Sequence, residues 1–223
     1  MYKIVLSSRN KNKIVELREM FSAISDKVEI ISLDDAGISG DALEDGSSYE
    51  ENSAIKSIIP ASYGYIGAAD DSGLSVDSLD GAPGIYSARY AGEAVTYKDN
   101  NDKLLKTLEN EDNRAAKFVC VMTLAVPDEI DIDIPPELID RELSAFASDR
   151  CGKDVTMISV RGECPGVILK ETRGKEGFGY DPLFYYEPLG KTFAELSHEE
   201  KNAVSHRGRA VAAFIDVLKQ IFG

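Results

Sequence analysis

The sequence predicts an α/β fold, and three observations carry that prediction. Short apolar runs of strand length, at residues 3–7, 28–33, 65–69 and 117–126, recur along the chain. Between them lie stretches whose apolar residues repeat at helical spacing. Towards the C-terminal half strands follow one another without a helix between them, so part of the sheet is expected to be antiparallel.

In order, residues 3–7 read as a buried strand closing in a polar turn, and after Asn10 the side chains of Ile14, Leu17, Met20 and Phe21 fall on one helical face. Residues 28–33 form a strand, and 34–47, rich in glycine and aspartate, form a loop. Ser48-Tyr49-Glu50-Glu51 has the Ser-x-x-Glu form of a capping box. It opens a helix carrying Ala54, Ile55 and Ile58, which Pro60 should kink or end. The strand at 65–69 terminates at Asp70-Asp71-Ser72-Gly73. Residues 79–92 are a loop punctuated by glycine and proline; 96–108 are helical with Leu104, Leu105 and Leu108 inward; 117–126 are a strongly apolar strand. Residues 155–169 read as a strand pair around Cys164-Pro165-Gly166, 183–186 as a strand, and 203–222 as a closing helix with Val211, Phe214, Ile215, Leu218 and Ile221 inward.

With 223 residues, 43% of them hydrophobic, the chain can bury a real core. It carries 39 acids against 25 bases, a formal charge of −14, which argues against nucleic-acid backbones and anionic lipid as partners. No apolar run approaches the roughly 18 residues of a membrane span. The N-terminus reaches Ser7 and Arg9 too soon for a signal peptide. Cys120, Cys151 and Cys164 lack CxxC spacing and are odd in number, so neither a disulfide framework nor a structural zinc site is expected. A reduced, soluble, cytoplasmic protein follows. The charge is uneven: residues 127–149 hold eight acids and one base, half of the net charge. The spacing of Ile130, Ile132, Ile134, Leu138 and Leu143 allows a hairpin or short helix there, a solvated loop being the expectation.

Five constellations offer chemistry. Ser7-Ser8-Arg9-Asn10-Lys11-Asn12-Lys13 lies between a strand and a helix, where backbone N–H groups and side-chain donors suit a phosphate. It holds no glycine, so it is not a GxxxxGK[ST] loop, and an ordinary N-cap by Ser8 or Asn10 also accounts for it. Asp70-Asp71-Ser72-Gly73 places two carboxylates after a strand, ready to hold a hard cation or activate water. An Asp-rich turn is the alternative, but adjacent acids repel unless a metal or a buried network compensates. Glu44 is a second possible oxygen ligand or one more solvated acid, whereas Glu51 has a capping role. Gly177-Phe178-Gly179-Tyr180-Asp181-Pro182 offers an aromatic face to a base, or a tight turn with Phe178 in the core. Lys201 and Ser205-His206-Arg207-Gly208 set cations at a helix N-terminus against the dipole, a conflict that a bound anion or Glu199 or Glu200 would resolve. Together these parts make a nucleotide site.

The order of these motifs resembles the inosine triphosphate pyrophosphatase family, the XTP/dITP diphosphatases. The resemblance rests on Ser8 to Lys13 with Glu16, Glu50-Glu51-Asn52-Ser53-Ala54 with Lys56, and Ala69-Asp70-Asp71-Ser72-Gly73-Leu74. It continues through Gly81-Ala82-Pro83-Gly84-Ile85-Tyr86-Ser87-Ala88-Arg89-Tyr90 to Gly177 to Pro182, Ala194-Glu195-Leu196, Lys201 and Ser205 to Gly208. It implies an elongated mixed β-sheet with flanking helices, forming two lobes around a central cleft that holds the active site. One catalytic domain would span 1–223, with an acidic insertion at about 127–152 relative to shorter relatives. The resemblance further implies a homodimer, Mg²⁺ dependence, and cleavage of ITP, dITP and XTP between the α and β phosphates.

By position, Ser8, Asn10 and Lys13, with Arg9, Lys11 and Asn12 in the same turn, match the family's phosphate-binding segment, and Lys56 matches the cation on the next helix. Asp71 matches the general base and metal ligand, with Glu44 the second ligand, Asp70 beside it, and Ser72 a substrate contact. Phe178, Gly179, Tyr180 and Asp181 match the base-binding segment, completed by Lys201, His206 and Arg207. Selecting a 6-oxo purine over adenine calls for donors, and Lys201, His206 and Arg207 supply them. Two further departures from the family pattern are Arg9, where glycine is common, and Pro60 in a usually alanine-rich helix. A pyrophosphatase with another base preference and a catalytically silent nucleotide-binding regulator are the alternatives; keeping Asp70, Asp71, Glu44 and Lys13 together argues against the second.

Overall fold

The apolar runs pair into a seven-stranded mixed sheet. A computed structural model describes residues 1–8, 27–40 and 42–223; the helix expected around Ile14 to Phe21 lies outside the described residues. The strands are β1 (Tyr2–Leu6), β2 (Val28–Ser32), β3 (Ile66–Val76), β4 (Ala115–Pro127), β5 (Val155–Ile168), β6 (Phe184–Tyr186) and β7 (Lys191–Thr192). Their hydrogen-bonded order is β2-β1-β3-β4-β5-β6-β7. β1 runs parallel to both neighbours, with Ile4 opposite Ile30 on one side and Ile66 on the other. β6 is antiparallel to β5 and to β7. The helices are α1 (Tyr49–Ser62), α2 (Tyr97–Thr107), α3 (Arg141–Cys151), α4 (His198–Val204) and α5 (His206–Phe222). Among the described residues no helix is long and apolar enough to cross a membrane.

The chain divides into two compact units. The first comprises Met1–Asp71, Val121–Arg161 and Val211–Gly223, and the second Ser72–Cys120 and Gly162–Ala210, so the division falls within β3, β4, β5 and α5. In the first unit, Ala54, Ile58 and Ala61 of α1 pack with Ala125, Leu143, Ala147, Val155 and Met157, while Val5, Ile31, Leu33 and Ile38 form a smaller cluster. In the second, Leu74, Leu104, Leu108, Phe118, Ile168, Leu183, Phe184 and Phe193 build an aromatic-rich core.

The seat of α1 on the sheet is unusually close, and its residues explain why. The helix turns Ser53, Ala54, Ser57 and Ala61 inward, all small and fully buried. Opposite them β3 has Gly67, where any Cβ would collide with the Ser57 carbonyl and press on the Pro60 ring. Buried hydroxyls need partners, and these satisfy one another. Ser53 Oγ reaches the Ala69 carbonyl at 3.2 Å and Thr123 Oγ1 at 2.9 Å. Thr123 in turn donates to Ser57 Oγ at 3.0 Å, and Ser57 donates to the Ala54 carbonyl. Ser48 caps the helix by accepting the Glu51 N–H, but the expected box is only half made, because the Glu51 carboxylate takes the Ser47 N–H and hydroxyl instead of the Ser48 N–H.

Several elements differ from expectation. Pro60 does not end α1, which runs to Ser62. In the last turn its missing donor costs one bond, its carbonyl takes the Tyr63 and Tyr65 N–H groups, and its ring lies against Gly67. β3 does not stop before Asp70 but runs through Asp70-Asp71-Ser72-Gly73 to Val76, with Lys56 paired to Asp71 and so offsetting part of the repulsion between the adjacent acids. Residues 155–168 are one strand, not two: Gly162 and Gly166 serve close approach rather than turns. A Cβ at Gly162 would strike the His206 carbonyl and one at Gly166 the Phe184 ring. The segment at 79–92 holds a 3₁₀ turn at Gly84–Arg89. The closing helix begins at His206, with α4 a separate, capping-box helix before it.

The acidic segment is also more ordered than a solvated loop. Its first part keeps Asp128, Glu129, Asp131 and Asp133 exposed with Ile130, Ile132 and Ile134 half-buried between them. Its second part is α3, capped by Asp140, whose carboxylate accepts the Leu143 N–H at 3.0 Å and the Ser159 hydroxyl at 2.8 Å. Leu143 and Ala147 then pay for the helix by packing against Ala54 and Ile58 of α1.

Gly67→Ala is expected to lower unfolding free energy by about 1–3 kcal/mol, the cost of overpacking a filled interface. Urea denaturation of the two proteins measures it.

Candidate functional site

The close seat of α1 sets Lys56 beside the acids of β3. Lys56 Nζ lies 2.9 Å from Asp71 Oδ1 and 3.4 Å from Glu44 Oε2, and the Lys56 and Asp71 side chains are both largely buried. Asp70, next in the strand, is buried as well. Burial alone would depress the Lys56 ammonium, but Asp71, Glu44 and Asp70 together hold its pKa above the ordinary lysine value. For Asp71 burial is the largest influence and pushes its pKa up; Lys56 opposes the rise, while Glu44 and Asp70 add to it. Three carboxylates thus share one ammonium, and the local charge stays negative.

The loop that presents Glu44 is tied down from three sides. Gly46 N–H donates to Asn52 Oδ1 at 2.9 Å, and Ser47 donates to Glu51 through both its N–H and its hydroxyl. Arg150 of α3 pairs with Asp45. The acidic segment is therefore joined to the residue next to Glu44, a link that sequence separation hid. Among the described residues no three His, Cys, Asp or Glu side chains converge as a ready-made metal cage. Mg²⁺ does not require one, since it is commonly held by one or two carboxylates, waters and substrate phosphates. The hard, net-negative donor set of Asp71 and Glu44 fits such an ion.

The second unit carries a different constellation, centred on Asp181. This carboxylate is 2% exposed, accepts the Phe178 N–H at 2.8 Å and pairs with Lys201 Nζ at 2.5 Å. Gly177 has φ +77°, and a Cβ there would fall on the Asp181 carboxylate, so only glycine lets the loop close over its own anchor. Tyr180 turns its ring into the core and donates its hydroxyl to the Ser87 carbonyl at 2.9 Å; burial, with Tyr90 adding to it, raises the phenol pKa well above its usual value. The Gly179 carbonyl accepts the Asn101 amide at 3.0 Å.

What remains outside is Phe178, 52% exposed. Lys201 Nζ is 4.8 Å and Arg207 Cζ 5.8 Å from its ring centroid, and the Tyr97 ring lies 6.2 Å away at 42°. His206 is buried and stacked on Phe118, centroids 4.7 Å apart and planes 15° from parallel. Glu200 does not resolve the charge conflict at the start of α5, because it caps Ser197 and binds Lys191.

The structure thus gathers Glu44, Lys56, Asp70 and Asp71 in the first unit and Phe178, Gly179, Tyr180, Asp181, Lys201, His206 and Arg207 in the second. Ser8 follows β1, with its N–H on the Leu6 carbonyl. Ser72 sits half-buried in β3. Arg9, Asn10, Lys11, Asn12 and Lys13 lie outside the described residues. Tyr97 and Asn101 were not singled out from the sequence. The available signal was the pair Asn100-Asn101, poor helix formers in a helix interior, one turn after an aromatic.

Lys56→Met should destabilise the metal-free protein at pH 8 by about 3 kcal/mol, since it leaves buried carboxylates unopposed. Because Asp71 binds its proton more readily folded than unfolded, the deficit should shrink on acidification to pH 5. Thermal melts of both proteins at the two pH values, in EDTA, read this directly.

Comparison with known proteins places this geometry in a family. The Ham1 family model matches residues 4–217. The dITP/XTP pyrophosphatase of Desulfotalea psychrophila is 44% identical over 210 residues, covering 94% of this chain and 82% of the relative. That of Clostridium perfringens is 42% identical over 230 residues, covering 99% of both chains. The structure of the Staphylococcus aureus Ham1 protein superposes with a TM-score of 0.80 at 34% identity, covering 98% of each chain. With a family match over nearly its whole length, a fold shared with a solved Ham1 protein and relatives above 40% identity, this chain belongs to the Ham1 family.

Proposed function

We propose that the protein is a Mg²⁺-dependent nucleoside triphosphate pyrophosphatase, acting on dITP, XTP and ITP to give the nucleoside monophosphate and pyrophosphate. The observation that carries this reading is the partly buried cluster in which Lys56 joins Asp71 and Glu44. The dITP/XTP pyrophosphatases among its relatives support the substrate class.

Hydrolysis at phosphorus needs an oriented water and neutralised charge more than covalent catalysis. Asp71, whose basicity burial raises, takes the proton of the attacking water. Asp71 and Glu44 would hold Mg²⁺, and the ion when bound neutralises phosphate charge and polarises the scissile phosphoanhydride. Lys56 keeps the Asp71 carboxylate oriented through the 2.9 Å hydrogen bond and adds positive charge for the phosphates. Ser8, Arg9, Asn10, Lys11, Asn12 and Lys13 are assigned to the triphosphate, as the family resemblance implies, and Ser72 to a further substrate contact. Phe178 stacks the base, while Lys201, Arg207, His206 and loop N–H groups supply donors to a 6-oxo acceptor. The same resemblance assigns a homodimer, and the composition and cysteine usage a cytoplasmic setting.

Pyrophosphate release from dITP, XTP, ITP, ATP, GTP and TTP, with Mg²⁺ and with EDTA, tests the assignment. The 6-oxo substrates dITP, XTP and ITP should far exceed ATP, EDTA should abolish turnover, and Asp71→Asn should bind nucleotide but turn over at least about a hundredfold more slowly. Equal rates on ATP and ITP would remove the substrate assignment, and turnover in EDTA would remove the metal.

A further inference from the structure

We infer that the first two turns of α2 are part of the nucleobase site: Tyr97 gives the base a second aromatic surface beside Phe178, and Asn101 is a positioning residue for the Phe178 loop. The inference rests on the assignment of Phe178 to the base, and the residues concerned belong to one compact unit.

Tyr97 is 59% exposed and Phe178 52%, and the two rings meet at 42° with centroids 6.2 Å apart. The two exposed rings in contact make a local aromatic patch of the kind that marks ligand-binding grooves. Two rings inclined in this way form an open aromatic angle, so a flat heterocycle lying on Phe178 meets the Tyr97 edge. Lys201 and Arg207 lie over the same Phe178 ring, which places donors for exocyclic oxygens at the aromatic surface.

Asn101 lies one turn after Tyr97, so both point from one face of α2. It is 7% exposed and spends its amide N–H on the Gly179 carbonyl, the residue after Phe178. Its Oδ1 is buried with no hydrogen-bond partner among the described residues. Such an orphan is costly, and an apolar residue would avoid the cost at this helix position. What the asparagine secures is the Gly179 peptide, held from α2 as Asp181 holds the Phe178 N–H from the other end. The two ends together fix where the Phe178 ring stands relative to Tyr97.

Calorimetric binding of dIMP, run in parallel with dITP turnover, tests this. Tyr97→Ala should weaken dIMP roughly tenfold and raise KM for dITP by a similar factor, within the range for losing a base-stacking ring, with kcat nearly unchanged. Tyr97→Phe, which keeps the ring, should recover most of the loss. Combined with Phe178→Ala, Tyr97→Ala should add less than its single effect, since both rings face one base. Asn101→Ala should raise KM without lowering kcat, a split that general loosening of the fold would not produce. Unchanged dIMP affinity in Tyr97→Ala, or no dIMP binding by the wild-type protein, overturns the inference. Tyr97-dependent dIMP binding without pyrophosphate release from dITP would sustain it and overturn the catalytic assignment instead.

Discussion

The contact on which the first unit depends is the seat of α1 against β3 and β4. Gly67 removes the one side chain that would hold the helix away, and Ser53, Ser57 and Thr123 fill the narrowed gap with hydroxyls that bond to each other and to backbone. Lys56 is a short side-chain length from Asp71 only because the backbones are this close. Its ammonium replaces the solvent that the acids have lost, and this offsets part of the repulsion between Asp70 and Asp71 as adjacent strand residues. Packing therefore precedes electrostatics: the ion cluster exists because small residues allow it.

The second unit solves its problem with one buried carboxylate. Asp181 ties the Phe178 backbone, the Lys201 ammonium and, through the glycine it requires at position 177, the shape of the loop itself. Arg114 does comparable work inside that unit. Buried, and with no carboxylate partner among the described residues, it donates to the carbonyls of Leu108, Ile168 and Leu169, joining the end of α2 to the end of β5. A guanidinium can serve three carbonyls because its donors are fixed in one plane.

Much of this was legible in the sequence where a pattern is local. The N-cap at Ser48, the helix over residues 96–108 and the apolar run that became β4 follow from spacing alone, and the motif order pointed to the family. What was not legible depended on distant partners. Asp70 and Asp71 look like a turn until Lys56, on another element, is seen to pair with Asp71. Gly162 and Gly166 look like punctuation until His206 and Phe184 are found above them. The acidic stretch looks solvated because its charge dominates its composition, yet Leu143 and Ala147 are enough to bind α3 to α1. Tyr97 and Asn101 were invisible because their partner, the Phe178 loop, lies some eighty residues away in sequence.

The claim that α1's seat governs the chemistry through Lys56 is tested most directly by a double-mutant cycle on kcat/KM for dITP between Thr123→Val and Lys56→Met. Thr123→Val removes the central hydroxyl of the seat while keeping its shape, so it should lower kcat/KM in the wild-type background. In the Lys56→Met background it should lower it little further, because the side chain that the seat positions is already gone. Losses that multiply independently in the two backgrounds would contradict the account.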